Sequence, residues 1–104
     1  LRNGDDPVAS ARMLGKHIAA THTKDVMPRR GADPKDWQFF ACTPVGKGLV
    51  DFPALVGELE KVGYTGLFAI ELDYMDPVYR DEDIAVRESV AYLKKLQKQF
   101  PRRA

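Results

Sequence analysis

With 104 residues, 44% apolar and 30% charged, the chain has the composition of one globular unit or a piece of one, which excludes disordered and collagen-like polypeptides. A formal net charge of +1 gives no electrostatic drive towards nucleic acid or an anionic membrane, and no apolar run approaches the roughly 20 residues that span a bilayer. The single cysteine, Cys42, has no internal disulfide partner, and with no basic-then-apolar stretch at the start the expected compartment is cytoplasmic.

Asn3-Gly4-Asp5-Asp6-Pro7 predicts a turn and then a helix, with Asp6 as N-cap and Pro7 where its missing N–H costs nothing. Val8, Ala11, Met13 and Leu14 form a short apolar face, and Gly15 suits a left-handed helix end. Residues 17–23 read as a strand with Ile18, Ala20 and His22 on one face and Ala19, Thr21 and Thr23 on the other. Neither face is strongly polar, which predicts a strand covered on both sides. It runs into His22-Thr23-Lys24-Asp25, an imidazole and a carboxylate at a strand tip. That pattern fits a functional site as well as it fits ordinary polar residues meeting solvent.

Residues 25–50 read as one long connection, rich in Pro and Gly and with little periodicity. Connections beyond about 12–15 residues are usually functional or mobile. Trp37, Phe39 and Phe40 are too apolar for water, so they either pin this segment to the body or wall off a ligand. Arg29-Arg30 reads as a solvated pair, and Gly46-Lys47-Gly48 as a tight turn or a weak phosphate loop. Asp51 then caps a helix with Pro53 in its first turn and an apolar stripe of Phe52, Leu55, Val56, Leu59 and Val62, ending near Gly63. Residues 67–72 are the clearest strand, apolar on both faces like a central parallel strand, with Glu71 as the exception. A last helix runs from about Asp81 to Phe100. Val86, Val90, Leu93, Leu96 and Phe100 mark its expected buried side, and Lys94, Lys95 and Lys98 lie in water near its C-terminal end.

The order helix, strand, long loop, helix, strand, helix implies parallel strands with helices outside them. Two parallel strands leave both edges bare, and the sequence starts at Leu1 rather than Met. Both features predict the C-terminal part of a larger α/β protein. An ionised carboxylate among apolar neighbours is costly unless paired or bound to metal, and in such sheets ligands bind at strand C-termini. Leu67, Ala69 and Glu71 share one face, as do Ile18, Ala20 and His22, so His22 and Glu71 converge from consecutive strands. Such a pair is half of a divalent-metal site that needs at least two more ligands. Alternatively, it is a neutral histidine bonded to a buried glutamate, or a salt bridge.

The succession Asp-Pro-Val, Arg-Met-Leu-Gly-Lys-His-Ile, Thr-His-Thr-Lys-Asp, Gly-Lys-Gly-Leu-Val-Asp-Phe and Gly-Tyr-Thr-Gly-Leu-Phe-Ala-Ile-Glu-Leu resembles the C-terminal part of the xylose isomerase-like TIM barrels. More narrowly, it resembles the sugar phosphate isomerase/epimerase group, over about Asp6 to Leu96. The resemblance implies an α/β fold, the last two to three βα units of a (β/α)8 barrel, with residues 1–104 a partial domain lacking the N-terminal strands. In that family two Glu, one Asp and one His hold a divalent metal. The His maps to His22 and the final Glu to Glu71, and the other two ligands belong to earlier strands. The implied chemistry is proton transfer beside a carbonyl through an enediolate, with Mn2+, Mg2+, Co2+ or Zn2+ polarising the oxygens and Glu71 as ligand and catalytic acid/base. Lys24, Asp25, Arg29 and Trp37 are expected to orient substrate or to stand behind His22.

The family's apurinic endonuclease branch carries an extra Asp-x-His, and no His follows His22 here, so a DNA-repair site is disfavoured. The implied partners are a small carbohydrate and either a second copy or a complementing N-terminal segment, with no nucleic acid and no membrane. Two alternatives stay open: a metal-dependent dehydratase of a polyol-derived ketone, and a barrel remnant that binds sugars or partners without catalysis.

Overall fold

A computed structural model describes residues 4–36 and 39–100. Helix α1 spans Pro7–Leu14, capped by the Asp6 carboxylate, which accepts from the Val8 N–H at 2.9 Å. It stops at Gly15, whose φ of +49° takes the chain out of the helix, and a 3-10 turn follows over Gly15–His17. Strand β1 is Thr21–Thr23, β2 is Asp25–Pro28 and β3 is Phe40–Thr43. Helix α2 is Phe52–Lys61, β4 is Phe68–Ile70 and α3 is Glu82–Gln97. Asp51 and Asp81 cap the two later helices through their side chains.

β1 and β4 pair in parallel with Thr21 opposite Phe68, His22 opposite Ala69 and Thr23 opposite Ile70. This register corrects the expected strand over residues 17–23. Its partner begins only at Phe68, so Ile18, Ala19 and Ala20 have no ladder to join. The helix layer covers one face, where Thr23 is 5% exposed. The other face is open among the described residues, with the His22 side chain 78% exposed, so the strand is not covered on both sides as expected.

Residues 25–50 also differ from the expected irregular connection. β2 and β3 form an antiparallel ladder from Asp25 opposite Thr43 to Pro28 opposite Phe40. Pro28 lies at the end of the strand, where a missing donor is tolerated. The segment after β4 docks on the same ladder: the Cys42 N–H bonds to the Tyr74 carbonyl, and Asp76 N–H to the Cys42 carbonyl at 2.9 Å.

Val45, Phe52 and Leu96 form the buried centre, with Ile70, Tyr92, Leu93 and Phe100 packed against it. α3 buries Leu96 and packs Leu93 and Phe100 on this centre as expected, but nearer its start it turns Ala85 and Ser89 inward in place of Val86 and Val90. Ala85, Ser89 and Leu96 are buried, whereas Val86 and Val90 are 43% and 36% exposed. The cause is a close approach to the turn before α2. Ser89 Oγ accepts from the buried Val45 N–H at 2.8 Å and donates to the Ala85 carbonyl at 2.7 Å, and the Tyr92 ring lies where a Gly46 Cβ would stand. Only small side chains allow that approach. The molecule measures 45 × 29 × 18 Å, with a radius of gyration of 14.3 Å against about 13 Å for a compact 100-residue domain. It is a slab about one helix layer thick, with the sheet's uncovered face on one side.

Candidate functional site

The parallel register brings the C-terminal ends of β1 and β4 together. Beyond the ladder, the Glu71 N–H still bonds to the Thr23 carbonyl at 2.9 Å, which keeps Glu71 in step with β1. Alternation along the two chains then sets His22 and Glu71 on the same open face. His22 Nδ1 lies 2.7 Å from Glu71 Oε2. Glu71 is 38% exposed rather than enclosed in a dry interior, because it stands one residue past the end of β4. Its charge is offset by the imidazole and by Lys24, whose Nζ is 3.6 Å from Oε1.

Lys24 is one alternation further along and also reaches this face. Its ammonium donates to Asp73 Oδ2 at 2.8 Å, and Asp73 Oδ1 accepts from Cys42 Sγ at 3.1 Å and from the Tyr74 N–H at 2.8 Å. The Lys24 hydrogen bond, then the Cys42 one, hold the Asp73 carboxyl down at about 2. Partial burial works against the Lys24 ammonium, but the bond to Asp73 and the neighbouring carboxylate of Glu71 outweigh it and raise its pKa. Burial pushes the Cys42 thiol up, and its bond to Asp73 adds to that.

Asp25 is not brought to this face. Its carboxylate is fully buried, with Oδ1 accepting from Val26 and Val50 N–H and Oδ2 from Gly46 and Gly48 N–H, at 2.8 to 3.0 Å. It therefore organises the turn before α2 rather than standing behind His22. It also takes up the N–H groups a phosphate would need at Gly46-Lys47-Gly48, so that segment is a tight turn. Arg29 pairs with Asp36 at 3.1 Å and lies 6.0 Å from the centre of the Tyr74 ring, beside the hairpin rather than at Glu71. Phe39 and Phe40 meet edge to face at 5.1 Å, and Trp37 lies outside the described residues.

His22 and Glu71 offer one nitrogen and one oxygen donor side by side, a donor set suited to a divalent cation. Among the described residues no group of three or more His, Cys, Asp or Glu stands together as a metal cage. The pair fits as half of a ligand set. Asp73 was missed from sequence, although a signal for it existed. Glu71-Leu72-Asp73 and His22-Thr23-Lys24 each place two functional groups two residues apart at the ends of neighbouring strands, so alternation presents all four side chains on one face.

Charged groups thus gather at the C-terminal ends of two parallel strands with helices behind them, the end at which ligands bind in barrel enzymes. The family described as xylose isomerase-like TIM barrel matches residues 1–96, and the chain belongs to that family. Among its curated relatives, SgbU of Escherichia coli (strain K12), provisionally named an L-ribulose-5-phosphate 3-epimerase, is 38% identical over 69 residues, 66% of this chain and 23% of its own. The rhizopine catabolism protein MocC of Rhizobium meliloti is 36% identical over 83 residues, 72% of this chain and 25% of its own. The chain thus spans about a quarter of the length of the curated relatives it matches. These likenesses support the sugar isomerase/epimerase grouping that the motifs led us to expect. No helix among the described residues is long and apolar enough to cross a membrane.

Proposed function

We propose that this chain contributes two of the ligands and the proton-moving carboxylate of a metal-dependent sugar or sugar-phosphate isomerase or epimerase. The observation that carries the proposal is the 2.7 Å approach of His22 Nδ1 to Glu71 Oε2 at the ends of two parallel strands. His22 and Glu71 would hold a divalent metal together with two ligands from other strands of a complete barrel, of which this chain is proposed to be the C-terminal part. When bound, the metal polarises a substrate carbonyl and so acidifies the neighbouring C–H. Glu71 removes that proton and, in an isomerisation, returns it to the adjacent carbon. In an epimerisation a second acid on the opposite face, the family's other Glu from an earlier strand, would deliver a proton to the same carbon while Glu71 keeps the one it removed. Its half-exposed position leaves a sugar carbon room to reach it. His22 orients the carboxylate, and the neighbouring Ala69 leaves space on the open face for a polyhydroxylated chain.

In the complete barrel, Glu71→Gln should slow exchange of the substrate's C–H with solvent deuterium by about 10²–10⁴-fold even at Mn2+ concentrations that saturate the weakened site. His22→Ala should weaken Mn2+ binding itself. Unchanged exchange in Glu71→Gln would sink the assignment, and loss of water with no epimer formed would redirect it to a dehydratase.

A further inference from the structure

Glu71 is gripped at both of its oxygens. His22 Nδ1 takes Oε2 at 2.7 Å, while the Lys24 ammonium faces Oε1 at 3.6 Å. Lys24 is itself held at 2.8 Å by Asp73, and Asp73 is held on its other oxygen by Cys42 and Tyr74. The position of Asp73 is set by backbone. Cys42 is 1% exposed in β3, its N–H and carbonyl bond to Tyr74 and Asp76, and Met75 bridges to it, so the segment carrying Asp73 is docked on the hairpin. A buried thiol therefore locates a carboxylate, which locates an ammonium, which faces the site glutamate.

We infer that Asp73 and Lys24 are positioning residues for Glu71: Asp73 holds the Lys24 ammonium, and Lys24 fixes the plane of the Glu71 carboxylate so that one of its oxygens stays in line with His22 Nδ1. The inference rests on the reading of Glu71 under Proposed function and deepens it.

The energetics favour orientation over stability. Lys24 and Asp73 side chains are 35% and 55% exposed, and ion pairs so wetted contribute about 0–1 kcal/mol. Ordering a lysine side chain costs as much as such a pair returns. A carboxylate free to turn about its last bond, in contrast, spends much of its time with neither oxygen in line with His22 Nδ1. Terminal torsions of this kind are broad, so without the ammonium the plane is not fixed. Catalytic groups must be held to within a fraction of an ångström, which is the work of such supporting contacts.

The chain has two histidines, so the test has an internal reference. His17, in the exposed 3-10 turn, reports an unconstrained ring, and His22 reports the grip of Glu71. In the 15N-histidine-labelled chain at about pH 8.5, where an ordinary imidazole is neutral, the His22 ring should be held as the Nδ1–H tautomer with two widely separated 15N resonances. In Lys24→Met and in Asp73→Asn that separation should shrink towards the His17 value, and Lys24→Arg should restore most of it. A merely structural pair would leave the His22 ring unchanged. Unaltered His22 resonances in folded Lys24→Met and Asp73→Asn would overturn the inference. So would loss of the folded amide spectrum in both variants, since that would make the pair a stability element. Adding Mn2+ alone to the complete barrel, which would supply the remaining ligands, separates this from the metal reading. Selective broadening of His22 supports both, whereas a tautomer response without broadening leaves the positioning role standing and removes the metal.

Discussion

Asp25 gathers four backbone N–H groups onto one carboxylate that has no exposure to water. Removing it strands buried donors, each worth roughly 1–3 kcal/mol, so Asp25→Ala should lower stability by about 3 kcal/mol or more in urea denaturation. Asp25→Asn should lose less, because one amide oxygen still accepts. A midpoint for Asp25→Ala equal to that of the unaltered chain would refute this role. Two glycines nearby separate collision from backbone strain. Gly63 has a φ of +76° and open space around it, so Gly63→Ala should cost about 1 kcal/mol. A Cβ on Gly48 would run into the Asp25 carboxylate and the Val26 carbonyl, so Gly48→Ala should cost more although its φ is unremarkable. Asp73 gives a pH signature. Its carboxyl sits at about 2 in the folded chain against an ordinary 3.8, so its contribution to the fold, kept small by the 55% exposure of the side chain, is fully present above about pH 4 and is lost as pH falls towards 2. Asp73→Asn should therefore flatten the fall in urea midpoint between pH 4 and pH 2, relative to the unaltered chain. At this scale His22 and Glu71 were legible because charged groups interrupt apolar strands. The role of Asp25 was not, because nearness in sequence to His22 suggested a shared face that alternation denies it.

The helices were the most legible elements. Asp6 and Asp51, each before a helical run, read as caps and act as caps, and Asp81, expected only near the start of the last helix, caps it as well. Asp81→Ala should cost about 1 kcal/mol of stability in the same measurement. The hairpin was hidden for a physical reason. Strands are recognised by alternation, but three of the four residues of β3 are buried on both faces, and β2 ends in a proline. The turn-forming residues 28–36 then diluted what signal remained. In α3 the expected side held for Leu93, Leu96 and Phe100 but not for Val86 and Val90, because large aliphatics were assumed to define the buried side along its whole length. A helix that comes close to a neighbouring turn buries its small side chains instead. Ser89→Val tests this: it adds bulk, removes the acceptor for the Val45 N–H, and should destabilise by about 1–3 kcal/mol. If Ser89→Val proved neutral, the close packing of α3 on that turn would be wrong.

For the molecule as a whole, the order and spacing of short motifs carried the family, and no single motif would have done so. No group of three or more His, Cys, Asp or Glu among the described residues could hold a metal ion, so the proposed site was legible only as the His22–Glu71 pair. Met13, Leu14 and Leu67 are each more than half exposed, and the parallel pair has open edges among the described residues. We therefore expect the chain on its own to self-associate, with a sedimentation coefficient that rises with concentration. A concentration-independent monomer would contradict that expectation. The slab also has a front and a back, and residues 22–25 are stitched through it. His22 and Lys24 come out on the front, beside Glu71 and Asp73, while Thr23 and Asp25 go to the back, where the fabric is held. A single residue inserted after Thr23 would exchange the sides of everything that follows in the stitch, sending the lysine inward and the turn-holding carboxylate out. Substitutions can thus retune the front without touching the back, but a one-residue shift in this stretch disables both at once.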